Sequence, residues 1–236
     1  MTLATGLIER IRYEFLADDA AIDPADNWWS DTNICNALNE SQREIARRCL
    51  LIQDSVTPGI CFLPFTAGQQ TLPLSSKILR IRFVLFPHLS SIVGHARELL
   101  RTSTEYLNER HQGHTWIGRR GRVELFVTDF QAQSLTFGRA PEYGGTVQIG
   151  VIRLPLTDMT ILDPQSAPEI QERDLALIHG ALKCLYSKGY AIEDQESYNP
   201  IKEARWRKEF EADIQLITQD LAAMQPKLTV CRPGEW

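Results

Sequence analysis

Apolar residues recur at helical spacing in the N-terminal part of the chain. The first set predicts a short amphipathic helix and consists of Leu3, Leu7, Ile8, Ile11 and Phe15. A turn-rich stretch follows over residues 18–27, and Ser30 then supplies an N-cap for a second helix, whose apolar face runs from Ile34 to Ile52. Asn39 lies beside that face, so we expect its amide to bond a neighbouring backbone at the edge of the core.

The C-terminal part of the chain shows the same helical spacing. Pro168 and Glu169 are predicted to open a helix that ends at Gly189, with an inner side of Ile170, Leu175, Ile178, Leu182 and Leu185. Asn199 and Pro200 then form the start of a last helix, as N-cap and first helical residue. Pro226 stops this helix, and its narrow apolar stripe is typical of packing between helices: Phe210, Ile214, Ile217, Leu221 and Met224.

Between these helical regions, over about residues 56–157, apolar and polar residues alternate. One run predicts a half-buried strand, with Arg80 and Arg82 on the face opposite to Leu79, Ile81, Phe83 and Leu85. Shorter runs over 123–127, 135–137 and 147–151 predict further strands, and Gly- and Pro-containing turns separate them. Ala96–Asn108 predicts a strand that runs into a short helix. Several short strands with turns between them indicate a small antiparallel sandwich or barrel.

The order of helices, strands and helices predicts an α+β fold. We expect residues 1–55 and 158–226 to pack together as a helical frame, with residues 56–157 inserted as a β-rich domain. Residues 227–236 are too short and too interrupted by Pro and Gly for another element, so we expect an extended C-terminal tail.

Composition narrows the class of protein without naming a function. The chain has 236 residues, is 43% hydrophobic and 23% charged, and carries a formal net charge of −5. These values are typical of a globular protein with a sizeable core. The acidic balance argues against a general nucleic-acid binder, although a local basic patch remains compatible with it. No apolar run approaches the roughly 20 residues of a membrane helix, and the N-terminus lacks the pattern of a secretory signal, so we expect a soluble product with no membrane partner.

Candidate chemistry is sparse. The five cysteines are odd in number and include no Cys-x-x-Cys pair, so we expect reduced, structural thiols rather than disulfides or a zinc ribbon. His111 and His114 are the only close histidine pair, which is too few ligands for a metal site. The chain has no phosphate-binding glycine loop, nucleophile elbow or zinc-protease motif. We therefore predict no catalytic, cofactor-binding or metal-binding residues, and no enzyme.

Two short motifs are candidates for interaction. Arg119, Arg120 and Arg122 form a compact basic loop, which either contacts phosphate or DNA or is a solvated surface turn. Trp28 and Trp29 precede the second helix, where a Trp either anchors a partner or packs onto the helix as a hydrophobic staple. We expect one Trp in each role.

Several motifs in order carry a resemblance to a known family. Trp29-Ser30-Asp31 leads into Leu38–Arg48, which is similar to a Leu-Asn-x-Ala/Ser-Gln helix. Gly68–Leu74 followed by Ile78–Arg82 is similar to a Gly…Leu-Pro…Ile strand pair. The later strand ends Arg139-Ala140-Pro141 and Arg153-Leu154-Pro155, the acidic helix entry Glu169–Asp174, and Phe210 complete the series. In this order and spacing, over about residues 3–225, the sequence resembles the head-to-tail adaptor (connector, or head-completion) proteins of tailed bacteriophages. It departs from their pattern at 118–124, where a Gly-x-Pro-x-x-Tyr motif is replaced.

The resemblance implies a structural protein of the virion neck, assembled in the host cytoplasm. Such adaptors form a homo-oligomeric ring of about twelve subunits beneath the portal protein. The ring extends the channel, through which genomic DNA passes without specific binding, and offers a docking surface to the next tail or neck protein. The tail residues Leu228, Val230 and Trp236 are then candidates for an arm that binds the portal. The alternative for them is a disordered end.

Two other functions compete with this prediction. A tail-terminator or gatekeeper is another structural role in the virion, but such proteins consist mainly of strands and would not explain the long flanking helices. A hydrolase that acts on nucleic acid or cell wall would need a convergent acid/base pair, which the sequence does not display.

Overall fold

The computed structural model describes residues 3–16, 29–87, 96–163, 165–187 and 199–224. In chain order the helices are α1 (Ala4–Arg10), α2 (Asp31–Cys49), α3 (Thr104–Arg110), α4 (Asp174–Leu185) and α5 (Pro200–Met224). The strands are β1 (Gln53–Asp54), β2 (Phe62–Phe65), β3 (Thr71–Pro73), β4 (Ile78–Pro87), β5 (Ala96–Glu98), β6 (Leu100–Arg101), β7 (Leu125–Val127), β8 (Ser134–Phe137) and β9 (Gly145–Arg153). The predicted α+β class is confirmed.

The chain divides into two compact units. Met1–Cys49 and Thr157–Trp236 form the first, which we call the helical unit, and Leu50–Leu156 form the second, the β unit. The helical unit contains α1, α2, α4 and α5, with a π-helical turn over Ile11–Leu16 after α1. The β unit contains all nine strands of the described residues together with α3.

The three long helices of the helical unit pack on one another, as their apolar stripes predict. Ile34, Leu38 and Ile45 of α2 are fully buried, as are Ile178 and Leu182 of α4. The buried part of the α5 stripe consists of Phe210, Ile214 and Ile217. Gly180 of α4 lies where the helices approach most closely, because a Cβ atom added there would stand 2.1 Å from the Ser41 Oγ of α2 and 2.8 Å from the Phe210 ring of α5.

Local hydrogen bonds explain where two of these helices begin. The Ser30 hydroxyl accepts from the Asn33 amide at 3.2 Å. The Asn199 side chain accepts from the amides of Ile201 and Lys202 at 3.1 and 3.0 Å. Both predicted N-caps are therefore confirmed.

The prediction for Asn39 is also confirmed. Its Nδ2 donates to the Met159 carbonyl at 2.9 Å, and its Oδ1 accepts from the Met159 amide at 2.8 Å. The buried Asn39 side chain thus satisfies both the amide and the carbonyl of Met159. These two bonds fix the segment that leads from the β unit into the rest of the helical unit.

Two helix boundaries differ from prediction. α2 ends at Cys49 and not at Ile52, because Leu50 takes the left-handed conformation with a φ of 54°. The helix predicted to open at Pro168 begins at Asp174. The amides of Glu169 and Ile170 donate instead to the Gln42 side chain at 2.7 and 3.4 Å. The predicted ends at Gly189 and Pro226 lie outside the described residues.

The strands of the β unit form two sheets around one core. β1, β9, β4 and β5 lie side by side in the first sheet, where β2 also pairs with β9 and all pairs are antiparallel. The second sheet has the order β3, β8, β7, β6, and its β6–β7 pair is parallel. Phe65 and Phe86 of the first sheet contact Phe137 of the second, with ring centroids 6.0 and 5.4 Å apart. The described strands form no closed barrel.

The predicted inner face of β4 is wrong except at Ile81: Leu79 is 37% exposed, and Phe83 and Leu85 are only partly buried. The register with β9 shifts between Ile78 and Arg80 and again between Ile81 and Phe83. Each shift inserts an extra residue, which turns the following side chains to the other face of the sheet. Val84 and Phe86 are therefore buried, at 0% and 4% exposure, in place of the predicted Phe83 and Leu85.

A buried ion pair joins β9 to the edge strand β1 of the first sheet. Arg153 Nε on β9 donates to Asp54 Oδ2 on β1 at 2.6 Å, and the carboxylate also accepts from the amides of Val56 and Thr57 and from the Thr57 hydroxyl. Burial raises the pKa of Asp54, but the hydrogen bonds from Thr57, Val56 and Arg153 outweigh burial and hold the pKa well below its usual range. The pair therefore stays charged at neutral pH.

Candidate interaction surfaces

Trp29 lies inside the helical unit. Its side chain is 3% exposed and meets the Tyr186 ring edge to face at a centroid distance of 4.9 Å, while its carbonyl accepts from Arg12 at 2.9 Å. Of the two predicted roles, packing within the unit is the one that this geometry supports. The partner is Tyr186 at the end of α4, and not a residue in the first turn of α2.

Trp28, Leu228, Val230 and Trp236 lie outside the described residues. Their partner-binding role stays a prediction.

The basic loop is held in place by backbone hydrogen bonds. The Ala140 amide donates to the Arg119 carbonyl at 2.8 Å, and the Gly121 amide donates to the Ala140 carbonyl at 3.1 Å. The Gly118 amide donates to the Gln70 side chain at 2.8 Å. Gly118 and Gly121 have φ values of 75° and 149°, which residues with a Cβ rarely adopt, so glycine is needed where the loop turns. The loop therefore presents its arginines from a fixed backbone.

Two arginines distant in sequence join this loop. Arg139, on the segment that pins the loop, passes its side chain over Gly121, where an added Cβ would stand 3.1 Å from Arg139 Nη1. Arg110 ends α3 and lines, with Arg122 and Arg139, a surface cavity of about 280 Å³. Sequence reasoning missed both residues, because only the pairing of the loop with Ala140 and the return of α3 bring them beside Arg119, Arg120 and Arg122.

His111 lies in the middle of these cations. Partial desolvation, followed by the charges of Arg119, Arg110 and Arg139, lowers the pKa of His111. The lowered pKa favours the neutral ring at pH 7, so the charges at this cavity come from the guanidinium groups and from Glu124, which also lines it. Among the residues that the structure describes, no group of three or more His, Cys, Asp or Glu side chains is placed to hold a metal ion.

The helical unit carries an apolar groove of about 440 Å³ at its surface. Leu175 and Leu216 line it and are 51% and 55% exposed. Leu175 was predicted to face the core, and that prediction is wrong because α4 begins later than expected and presents Leu175 in its first turn. Charged residues surround the groove, among them Arg10, Arg173 and Asp174.

The described cysteines are free thiols, and burial disfavours their ionisation. Desolvation first, and then the nearby Asp54 carboxylate, raise the pKa of Cys61 to about 11. Desolvation raises the pKa of Cys184 to about 12. Thiols with such pKa values are poor nucleophiles at neutral pH.

The fold defines an α+β protein of two compact units, one built on packed helices and one on two sheets that share a core. A family model described as SU10 adaptor protein matches residues 1–230. The chain therefore belongs to the SU10 adaptor protein family and is a phage adaptor, a structural class of protein. A search of curated proteins found no match. Within the described residues, no helix combines the length and apolar character needed to cross a bilayer.

Proposed function

We propose that this protein is a head-to-tail adaptor in the neck of a tailed phage virion. It assembles in the host cytoplasm as a closed ring of about twelve subunits under the portal. The ring extends the DNA channel and presents a docking surface to the next tail or neck protein. The observation that carries the proposal is the family match over residues 1–230, which spans both units.

The surface of the helical unit supports an assembly role. A closed ring uses a heterologous interface, in which one patch of each subunit meets a different patch of the next. The groove with Leu175 and Leu216 offers exposed apolar area within a charged rim, which is the composition of an interface core and its border. We assign this groove to the contact between neighbouring subunits.

The C-terminal segment is proposed as the arm that binds the portal. α5 ends at Met224, and residues 225–236 can reach at most about 40 Å when extended. Leu228, Val230 and Trp236 supply the apolar contacts of this arm, and Trp28 supplies a further contact with a partner. Alternating side chains of an extended peptide suit addition to a sheet edge or packing along a surface.

The charge balance supports passage of DNA through the ring. With a formal net charge of −5, the protein as a whole repels the DNA backbone. A channel wall that bound phosphates tightly would hold the genome back, so any DNA contact in the proposed ring is weak.

Mixing the purified protein with purified portal rings tests the proposal. Sedimentation should show a single larger species once the protein reaches about one copy per portal subunit, and saturation at that ratio distinguishes a ring from non-specific adsorption. Fewer copies of the Leu216→Glu variant should bind each portal ring. The Gln215→Glu variant, which changes the neighbouring exposed residue, should bind like wild type. Absence of a larger species at any ratio would refute the assignment to the portal.

A further inference from the structure

Five arginines of the β unit form one surface, which we call the arginine surface: Arg110, Arg119, Arg120, Arg122 and Arg139. Their side chains are all exposed. Three of them line one cavity, Arg119 and Arg120 stand on the pinned loop beside it, and the charges of Arg119, Arg110 and Arg139 all act on His111. In a chain with a net charge of −5, this concentration of positive charge is local.

Most of this charge is not neutralised. Among the described residues, Arg110, Arg119, Arg120 and Arg139 have no carboxylate within ion-pair distance, whereas Arg122 approaches Glu124 at 3.5 Å. Glu124 is already engaged by Arg97 at 3.1 Å. Some exposed arginines elsewhere, such as Arg48 and Arg207, have acidic partners. Others in the described part of the chain are single unpaired cations, whereas here four unpaired arginines lie together. The arginine surface therefore carries positive charge that a bound anion would neutralise.

A second cavity, next to the first, is a further reason to expect a bound anion. It has a volume of about 220 Å³, shares Arg122 with the first cavity, and is also lined by Arg97. The Nη1 atom of Arg97 is buried and has no hydrogen-bond partner within the described residues. A buried guanidinium N–H without an acceptor is unfavourable, and an anionic oxygen in this cavity would satisfy it after a small shift of the side chain.

The form of the surface favours phosphates over acidic side chains as the anion. Protein interfaces centre on a desolvated cluster of aromatic or aliphatic anchors, whereas nucleic-acid interfaces are more polar and more positive. Here guanidinium groups outnumber the carboxylates, of which Glu124 lines the first cavity and Glu142 the second. The guanidinium groups are spread over a helix end, a loop and a strand end. Such a spread matches successive phosphates along a DNA backbone better than one buried carboxylate.

We propose that the arginine surface contacts backbone phosphates of duplex DNA, weakly and without regard to sequence. The inference deepens the proposed function, because it names the face of each subunit that meets the genome as it passes. The binding is electrostatic, so it weakens with salt by a slope of about 0.9 per phosphate contact in a logarithmic plot. The rest of the acidic chain opposes it, and we expect a dissociation constant of about 10 µM or weaker at physiological salt.

Fluorescence anisotropy with a labelled duplex, at salt concentrations from low to physiological, tests the proposal. The Arg119→Gln/Arg139→Gln variant should lose at least about tenfold in affinity at low salt and about two units of salt slope. The Arg120→Gln/Arg122→Gln variant should show the same losses of affinity and of salt slope. The matched control is Arg47→Gln/Arg80→Gln, which removes the same charge from exposed arginines outside the surface and should change affinity much less.

The same variants in the portal assay separate the two proposals. Salt-sensitive DNA binding that only the arginine-surface variants lose, with portal binding retained, supports the DNA contact. Absence of DNA binding by wild type at low salt, or an equal loss in the control, overturns it even if the ring forms. Loss of portal binding without loss of DNA binding also overturns it, because the surface would then be a protein interface. If no protein joins the portal but the DNA result holds, the proposed function fails and the arginine surface stands.

Discussion

Replacing Gly180 with alanine tests how tightly the helical unit is packed. Gly180 lies in the interior of α4, where Gly→Ala normally stabilises a helix by about 1 kcal/mol. In this structure, however, the new methyl group would stand 2.1 Å from Ser41 Oγ, 2.9 Å from Ser41 Cβ and 2.8 Å from Phe210 Cε2. Ordinary carbon contacts lie near 3.5–4.0 Å. The helices must therefore separate locally by about 1 Å.

The gain in helix propensity and the steric clash oppose each other, and the larger of the two sets the sign of the change in stability. Ser41 and Phe210 are fully buried, so neither has open space into which to move. Overpacking of a tight core typically costs about 1–3 kcal/mol. Because Ser41 Cβ is tied to the backbone of α2, we place the clash at the upper end and expect Gly180→Ala to lower the free energy of unfolding by about 1–2 kcal/mol net.

Urea unfolding followed by circular dichroism at the helix band measures this change. Adding Ser41→Gly to Gly180→Ala removes the nearest Cβ, so the double variant should be more stable than the sum of the two single changes by about 1–3 kcal/mol. A Gly180→Ala variant as stable as wild type, or more stable, would show that α2, α4 and α5 do not approach as closely as the structure has them.

Three further predictions concern other contacts. Asp54→Asn should destabilise the β unit by about 3 kcal/mol at pH 7, because it leaves the buried Arg153 charge uncompensated. The folded-state pKa of Asp54 is lowered, so this stabilisation is complete above the unfolded pKa of about 4 and is lost progressively as the pH falls from there through the folded-state pKa. The difference in melting temperature between the two proteins should therefore narrow as the pH falls below about 4, and a difference that does not change with pH would be contrary evidence. Asn39→Ala should cost about 1–3 kcal/mol in urea unfolding, since it strips both bonds from Met159, and a change near zero would mean that water replaces them. Deleting residues 227–236 should weaken portal binding without altering the melting temperature, and unchanged binding would remove the proposed arm.

The sequence predicts much of the helical unit because its signals are local. The caps at Ser30 and Asn199, the stripe through Phe210 and the amide of Asn39 all depend on neighbours within one helix or on burial, and the structure confirms them. Errors arise where a tertiary contact overrides local pattern. The chain at Glu169 is non-helical because Gln42 from α2 takes its amide.

In the β unit, tertiary contacts override the local sequence pattern more often. Alternation identifies β4 as a strand, but its two register shifts against β9 cannot be seen in a single strand. Those shifts exchange Phe83 and Leu85 for Val84 and Phe86 on the core side. The parallel β6–β7 pair is likewise a product of topology.

The candidate surfaces follow the same logic. A run of basic residues marks Arg119, Arg120 and Arg122, but Arg110 and Arg139 join them only through the fold. Trp29 illustrates the opposite case, since a tryptophan before a helix is compatible with an exposed anchor until Tyr186 is found against it. Exposure and neighbourhood are tertiary properties, and the sequence supplies only the residue types.

Cryo-electron microscopy of the portal mixed with this protein tests the central claim most directly. The account predicts one added ring on the tail-facing side of the portal, with about one adaptor per portal subunit and the DNA channel continued through its centre. It further predicts that the arginine surface of each subunit faces that channel. A portal without added density, or added density that is neither a ring nor coaxial with the channel, would contradict the account.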